Sequence, residues 1–383
     1  VQGLVSTWPI PFFCPDEASF AMNYEKHCLF RLNLSPGIGR VALFALQRTF
    51  GSFAAALDRP ASELIKLAGL SPRMVQGLVD ESSRKLEEGL AALKKHQIRL
   101  LSFWDQDYPE SLRQIHDPPA LLYVRGQLPA GECFAIVGSR GATPVGLGLA
   151  EEIAEELASR GLTIVSGLAR GIDSAAHRGA LKAEGATIAV LGCGVDRVYP
   201  PENARLYEQI LENNASISEF PPGTQPMAGH FPGRNRIISG LSRGVLIVEA
   251  ADQSGSLITG DFALEQGREL FAVPGMVRAT TSNGTNRLIK QGAQVVTEAT
   301  DILESLWPQL PSATQKKESA NLVAQLDDKT LKVYQLIDFQ PKHADELGRI
   351  CGLTPMEVSA ILLDLELRGG VQPLPGGHYI RCR

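Results

Sequence analysis

The sequence predicts an α/β protein in three parts: a central doubly wound parallel sheet, a helical part before it and a winged helix after it. Three observations carry this reading. Short, nearly continuous apolar runs such as FAIVG and GVLIVEA alternate with helical patterns through the middle of the chain, the arrangement that right-handed β-α-β units require. Each run ends in a glycine-rich loop. Further on, Pro311 to Ser319 (PSATQKKES) breaks the apolar periodicity and sets apart a short helix-rich tail. With 383 residues, 44% of them hydrophobic, the chain exceeds one domain and can fill real cores.

In chain order, residues 1–28 show no clear periodicity and are read as an N-terminal extension. Residues 29–98 carry helical patterns, with Pro36-Gly37-Ile38-Gly39 between two of them. That turn suits a helix-hairpin-helix, whose hairpin amides hold a DNA backbone without reading bases, or the related sterile-alpha-motif-like bundle, or a purely structural turn. Only Arg40 and Arg48 follow it closely, so any DNA contact there should be weak.

Residues 99–308 form the sheet. Phe134 to Gly138 is a strand that leads into Gly138-Ser139-Arg140-Gly141, and Pro144 suits the first residue of the next helix. Thr163 to Val165 opens a second strand, which runs into Ser166-Gly167-Leu168-Ala169-Arg170-Gly171-Ile172-Asp173, with Asp173 as the candidate N-cap. Thr187 to Leu191 is a third, followed by Gly192 to Arg197 and the turn Tyr199-Pro200-Pro201. Gly244 to Ala250 and Glu269 to Pro274 are further strands buried on both faces. Ser254, Gly255 and Ser256 precede a helical pattern from about Leu257, and Arg234, Asn235 and Arg236 fall before another short helix. Ligands of such sheets bind beyond the carboxyl ends of the strands. There, helix starts and free amides suit anions, and arginine forks suit phosphate. The candidate phosphate-binding set is therefore Gly138, Ser139, Arg140, Ser166, Gly167, Arg170, Gly171, Arg197, Arg234, Asn235 and Arg236, with no catalytic residue and no metal ligand.

Several other chemistries lack their residues. G-x-x-x-x-G-K-[ST] is absent, and Gly138-Ser139-Arg140-Gly141-Ala142 departs from the dinucleotide fingerprint by placing arginine where a small residue is needed. No Cys/His spacing suggests a metal, and no cofactor is expected. Gly240-Leu241-Ser242-Arg243-Gly244 matches G-x-S-x-G but leads into a strand, whereas a nucleophile elbow turns from strand to helix. His177 follows Asp173 by four positions and suits a buried or capping role.

Residues 309–325 are the linker and 326–383 the winged helix: three helical patterns, the third opening at Thr354, then a hairpin about Pro375-Gly376-Gly377. The third helix would enter a major groove, yet it carries Glu357, Asp364 and Glu366 against Arg368, which favours a protein partner over duplex DNA. Net charge is -5. At a Debye length of about 8 to 10 Å, local clusters rather than net charge govern binding, and the loop arginines are expected to gather on one edge. Six scattered cysteines (14, 28, 133, 193, 351 and 382), no apolar run of membrane-spanning length and no basic leader point to the cytoplasm.

The segments IVGSR, SGLARGID, GCGVDRVYPPEN, FPGRNRIISGLS, SGSLIT and FAVPG, with Tyr108-Pro109 through Asp117-Pro118-Pro119, stand in an order and spacing that resembles the DNA-processing protein A (DprA/Smf) family over about residues 103–303. One departure is Asp261 after SLITG, where the family more usually has alanine. The resemblance implies a non-catalytic, Rossmann-like protein of natural transformation that binds single-stranded DNA and protects incoming strands. It would load a RecA-type recombinase onto strands covered by single-strand-binding protein, and it would act as a homodimer. Arginine planes would supply charge and stack on bases, since few aromatics lie in the loops. A rival is a Rossmann-type nucleotide hydrolase of the phosphoribohydrolase kind, with Glu249 or Glu265 as its acid. Its P-G-G-x-G-T-x-x-E pattern is absent.

Overall fold

The structure is a computed structural model that describes residues 24–80, 82–309, 326–338, 342–368 and 370–381. The linker segment Pro311 to Ser319, Cys14, Cys382 and nearly all of the extension lie outside the described residues. The chain divides into two compact units, Val1–Thr297 and Glu298–Arg383.

The first unit opens with six helices: α1 (Tyr24–Leu34), α2 (Arg40–Phe50), α3 (Phe53–Leu57), α4 (Ala61–Ala68), α5 (Pro72–Asp80) and α6 (Ser82–Lys95). Helix α1 thus starts inside the segment read as an extension. Buried Phe30, Leu43, Leu46 and Phe53 form the core of this bundle. In the hairpin turn Gly37 takes φ +82, a conformation suited to glycine, and Ile38 is buried.

The sheet follows. Its elements are β1 (Ile98–Ser102), α7 (Glu110–Arg113), β2 (Leu121–Gly126), β3 (Cys133–Val137), α8 (Pro144–Ser159), β4 (Thr163–Ser166), α9 (Ile172–Lys182), β5 (Thr187–Leu191), α10 (Ala204–Asn213) and β6 (Ala215–Ser218). Then come α11 (His230–Leu241), β7 (Gly244–Ile247), α12 (Gly255–Glu265), β8 (Glu269–Ala272), α13 (Asn283–Lys290) and β9 (Gln294–Val295). Among the described residues these strands make one nine-stranded sheet in the order β1-β2-β6-β5-β4-β3-β7-β8-β9. From β6 to β9 every neighbouring pair is parallel, as their uninterrupted apolar runs require for strands covered on both faces. The antiparallel pair β1 and β2 extends one edge.

Chain order fixes where a ligand can sit. From β3 the strands run outward through β4, β5 and β6 on one side and through β7, β8 and β9 on the other. The switch point therefore lies between β3 and β7, and the loops after all the parallel strands share one edge.

The second unit contains α14 (Ala299–Leu306) and the winged helix: α15 (Asp328–Leu336), β10 (Lys342–His343), α16 (Ala344–Cys351), α17 (Pro355–Leu367), β11 (Val371–Leu374) and β12 (His378–Arg381). Val333, Ile337, Leu347, Val358, Leu362 and Leu365 pack as its core. Thr354 and Glu357 close a reciprocal capping box at the start of α17.

Candidate nucleic-acid interface

At the switch point the β3 loop and the α9 start interlock. Gly171 has φ +76, and a Cβ on it would stand 2.1 Å from the Ser139 carbonyl. A Cβ on Gly138 would stand 2.7 Å from Ile172. These glycines allow the two loops to touch. They do not offer a row of free amides. The Ser139 amide donates to the Glu249 carbonyl at 2.7 Å, and the Gly167 amide donates to Asp173 Oδ2 at 3.1 Å. Ser166 ends β4, and its hydroxyl donates to the Ile136 carbonyl at 2.6 Å. The expectation that the amides of Ser139 and Gly167 hold phosphate is corrected accordingly: internal acceptors already occupy them.

Two carboxylates do what a bound anion would do. Glu249, two residues past β7, accepts from the Thr143 amide at 2.9 Å and from the Thr143 hydroxyl, and so sits at the positive end of α8. Asp173 is not the N-cap of α9; Gly171 holds that position, and no side chain caps it. Asp173 instead folds back onto the amides of Gly167 and Ala169. Burial raises its carboxyl above the usual range, opposed by Arg234 and those two amides. The α8 start is thus filled from within by Glu249, and the loop leading into α9 by Asp173.

The arginines divide into exposed and buried sets. Arg140 is exposed, its guanidinium lies 5.5 Å from the Phe231 ring centroid, and among the described residues it makes no ion pair. Arg197 is exposed and donates from Nε to the Gly223 carbonyl at 3.0 Å. Arg170 pairs with Glu202 at 2.6 Å, both side chains being exposed. Arg234, Asn235 and Arg236 are not ahead of a helix but within α11, and all three are buried. Arg234 donates to the Gly167 carbonyl at 2.8 Å and to the Val190 carbonyl, joining the ends of β4 and β5. Burial lowers its pKa to about 10. A Cβ on Gly167 would stand 2.5 Å from this guanidinium, which is why glycine is needed there. Asn235 accepts from Arg234 Nε and donates to the Gly255 carbonyl.

Arg236 leaves this edge altogether. Two positions apart on a helix means about 200° of rotation. Arg236 accordingly points to a cleft of about 820 Å³ whose lining includes Arg40, Asp117 and Glu219. It pairs there with Glu219 at 2.6 Å and Asp117 at 3.3 Å. Arg40 also binds Asp117, so the hairpin arginine is neutralised internally.

The loops hold more aromatic surface than their sequence suggests. Phe231 carries Arg140 on its ring and Arg234 at 5.9 Å, and half-exposed Tyr199 lies 5.7 Å from it. The ring fits against Gly192, where a Cβ would stand 3.0 Å away. The signal for Phe231 was its three-residue spacing from Arg234 on one helix; nothing in the sequence placed Tyr199 beside it. His177 is buried as expected. Because the Thr187 hydroxyl donates to the Ile164 carbonyl, the imidazole Nδ1 must carry the proton it shares with Thr187 at 2.7 Å. Gly240 and Ser242 lead into β7, so the G-x-S-x-G match forms no elbow. Among the described residues no cluster of metal-ligating side chains occurs, and no helix is long and apolar enough to cross a membrane.

The edge so built is an exposed arginine beside aromatic rings, set at the switch point of the sheet. Residues 99–307 match the family model for DNA recombination-mediator protein A, and residues 317–377 match the DprA winged helix domain. The chain is 41% identical to protein Smf of Escherichia coli over 84% of this chain and 87% of that one. It is 46% identical to DNA processing protein DprA of Streptococcus pneumoniae over 53% and 72%. Among solved structures, DNA processing protein A from Streptococcus pneumoniae superposes with a TM-score of 0.66 at 34% identity, covering 74% of this chain and 99% of that one. DNA processing protein A from Helicobacter pylori, described for a unique single-stranded DNA binding mode, gives 0.51 at 32% identity over 56% and 98%.

Proposed function

This chain belongs to the DNA recombination-mediator protein A (DprA/Smf) family, and from that premise we propose that it binds single-stranded DNA without bond chemistry at the carboxyl edge of its parallel sheet. The observation that carries the reading is Arg140, exposed, free of any ion pair among the described residues and lying on Phe231. A guanidinium and aromatic faces together give charge for a backbone and a stacking platform for bases, which is sequence-tolerant single-strand binding. Arg197 adds to the field of the edge, whereas Arg170 is matched by Glu202. Gly138, Ser139, Ser166, Gly167, Gly171, Arg234 and Asn235 shape it from beneath.

One such edge spans few nucleotides, so useful affinity needs two copies on one strand and favours a homodimer. In this reading the protein acts in the cytoplasm during natural transformation. There it protects incoming strands and loads a RecA-type recombinase onto DNA covered by single-strand-binding protein. The hydrolase alternative is weaker because Glu249 is committed to Thr143 at the start of α8.

The test is fluorescence anisotropy of a labelled single strand and its duplex, at low and physiological salt, with Arg140→Ala beside the parent. The expected result is preference for the single strand, affinity about tenfold lower in the variant, and a salt slope shallower by about 0.7 for each phosphate that is no longer neutralised. Equal binding by parent and variant across the salt series removes this edge as the site.

A further inference from the structure

Helix α17 is apolar on both faces. Val358, Leu362 and Leu365 point into the winged-helix core. On the other side Met356 is 83% exposed, Leu363 55% and Leu367 79%, and exposed Ala360 lies between them. A surface helix normally keeps its outward face polar; one that is apolar all round has a second covering. The outward positions 356, 360, 363 and 367 are spaced four, three and four, which is the d-a-d-a seam of a coiled coil.

The flanks of the seam indicate what covers it. With Met356 and Leu363 at d, the e positions are Glu357 and Asp364 and the g positions are Ser359 and Glu366. Three of the four are acidic. Glu357 is held by its capping box and Lys329, and Asp364 by Arg368; Glu366 makes no ion pair among the described residues. A second copy of this helix, parallel or antiparallel, would set acid against acid at these positions. Duplex DNA would meet carboxylates and bare aliphatic side chains.

We propose that the outward face of α17 docks an amphipathic helix of a partner protein, with aliphatic residues on its seam and lysine or arginine on its flanks. The wing and the capping box hold α17 in place before the partner arrives, so the seam is preorganised.

The full-length protein would be titrated into a labelled synthetic helix with leucine at a and d and lysine at e and g, and into a twin carrying glutamate at e and g. The lysine peptide should bind about tenfold more tightly than its twin, and high salt should narrow that difference. Leu363→Asp, at an exposed position, should abolish binding with an unchanged melting curve. Glu366→Lys, which leaves the seam intact, should shift preference toward the glutamate twin. Equal affinity for the two peptides, or none for either, overturns the proposal. So does self-association, or duplex binding, that Leu363→Asp removes, since a second copy or DNA would then be what covers the face.

Discussion

Arg140 and Arg234 lie on the same ring, yet they have opposite fates on mutation. Arg140 is solvent-exposed, so Arg140→Ala should lose DNA affinity and keep its melting temperature. Arg234 is buried against two carbonyls and Asp173. Arg234→Met leaves those acceptors unpaired and should cost about 3 kcal/mol of stability in denaturant titration. Any loss of binding would follow unfolding. A sequence cannot separate these two residues, because both stand next to glycines in loop-rich segments and only packing decides which one is covered. His177 gives a pH signature. Burial and the nearby Arg234 and Arg178 charges lower its pKa to about 3, whereas in the unfolded chain it takes up a proton near pH 6.5. Its stabilising contribution is therefore present above about pH 6.5 and is lost as pH falls toward 3. Unfolding free energy should drop by about 2 kcal/mol between pH 7.5 and pH 5 through this residue. Urea titrations of the parent against His177→Gln, in which that part of the slope is absent, check it.

At the scale of elements, the informative feature is the filling of the α8 start from within. Helix α8 begins at Pro144 as its sequence indicates, with Thr143 as N-cap, but the anion at its start is Glu249, 106 residues further along the chain. Glu249→Gln removes that charge from the helix start and should cost about 1 kcal/mol in urea titration. A nucleoside monophosphate incubated with either protein should remain intact; base release by the parent and not by the variant would restore the hydrolase reading. Strand runs were legible because parallel strands need apolar residues on both faces. The position of the GRNR segment was not: a glycine and a proline beside the arginines resemble a loop, and α11 absorbs them because its C-terminal half, Ile237 to Leu241, packs into the core.

Across the whole protein, a chain of net charge -5 can bind a polyanion only where acidic partners are missing. The exposed arginine of the switch point meets that condition, while Arg236, Arg40 and Arg170 are matched by carboxylates. With so few unpaired arginines the salt dependence should be shallow, about 0.7 in log affinity per log salt for each phosphate neutralised. A chain ending at Gln309, just past the matched segment, should keep single-strand affinity within about twofold of the full protein, because the proposed edge lies wholly before it. Anisotropy on the two proteins side by side decides the point; a tenfold loss on truncation would place binding residues in the winged helix.

Apolar periodicity and backbone-permissive residues act locally, so the alternation of strand and helix, the glycine-rich edge and the winged-helix tail could be read from the order of residues. Which arginines are free, which amides are already taken and which rings lie beside Arg140 could not. Those outcomes depend on contacts such as Arg234 with Val190 and Glu249 with Thr143, made between segments brought together only when the sheet closes.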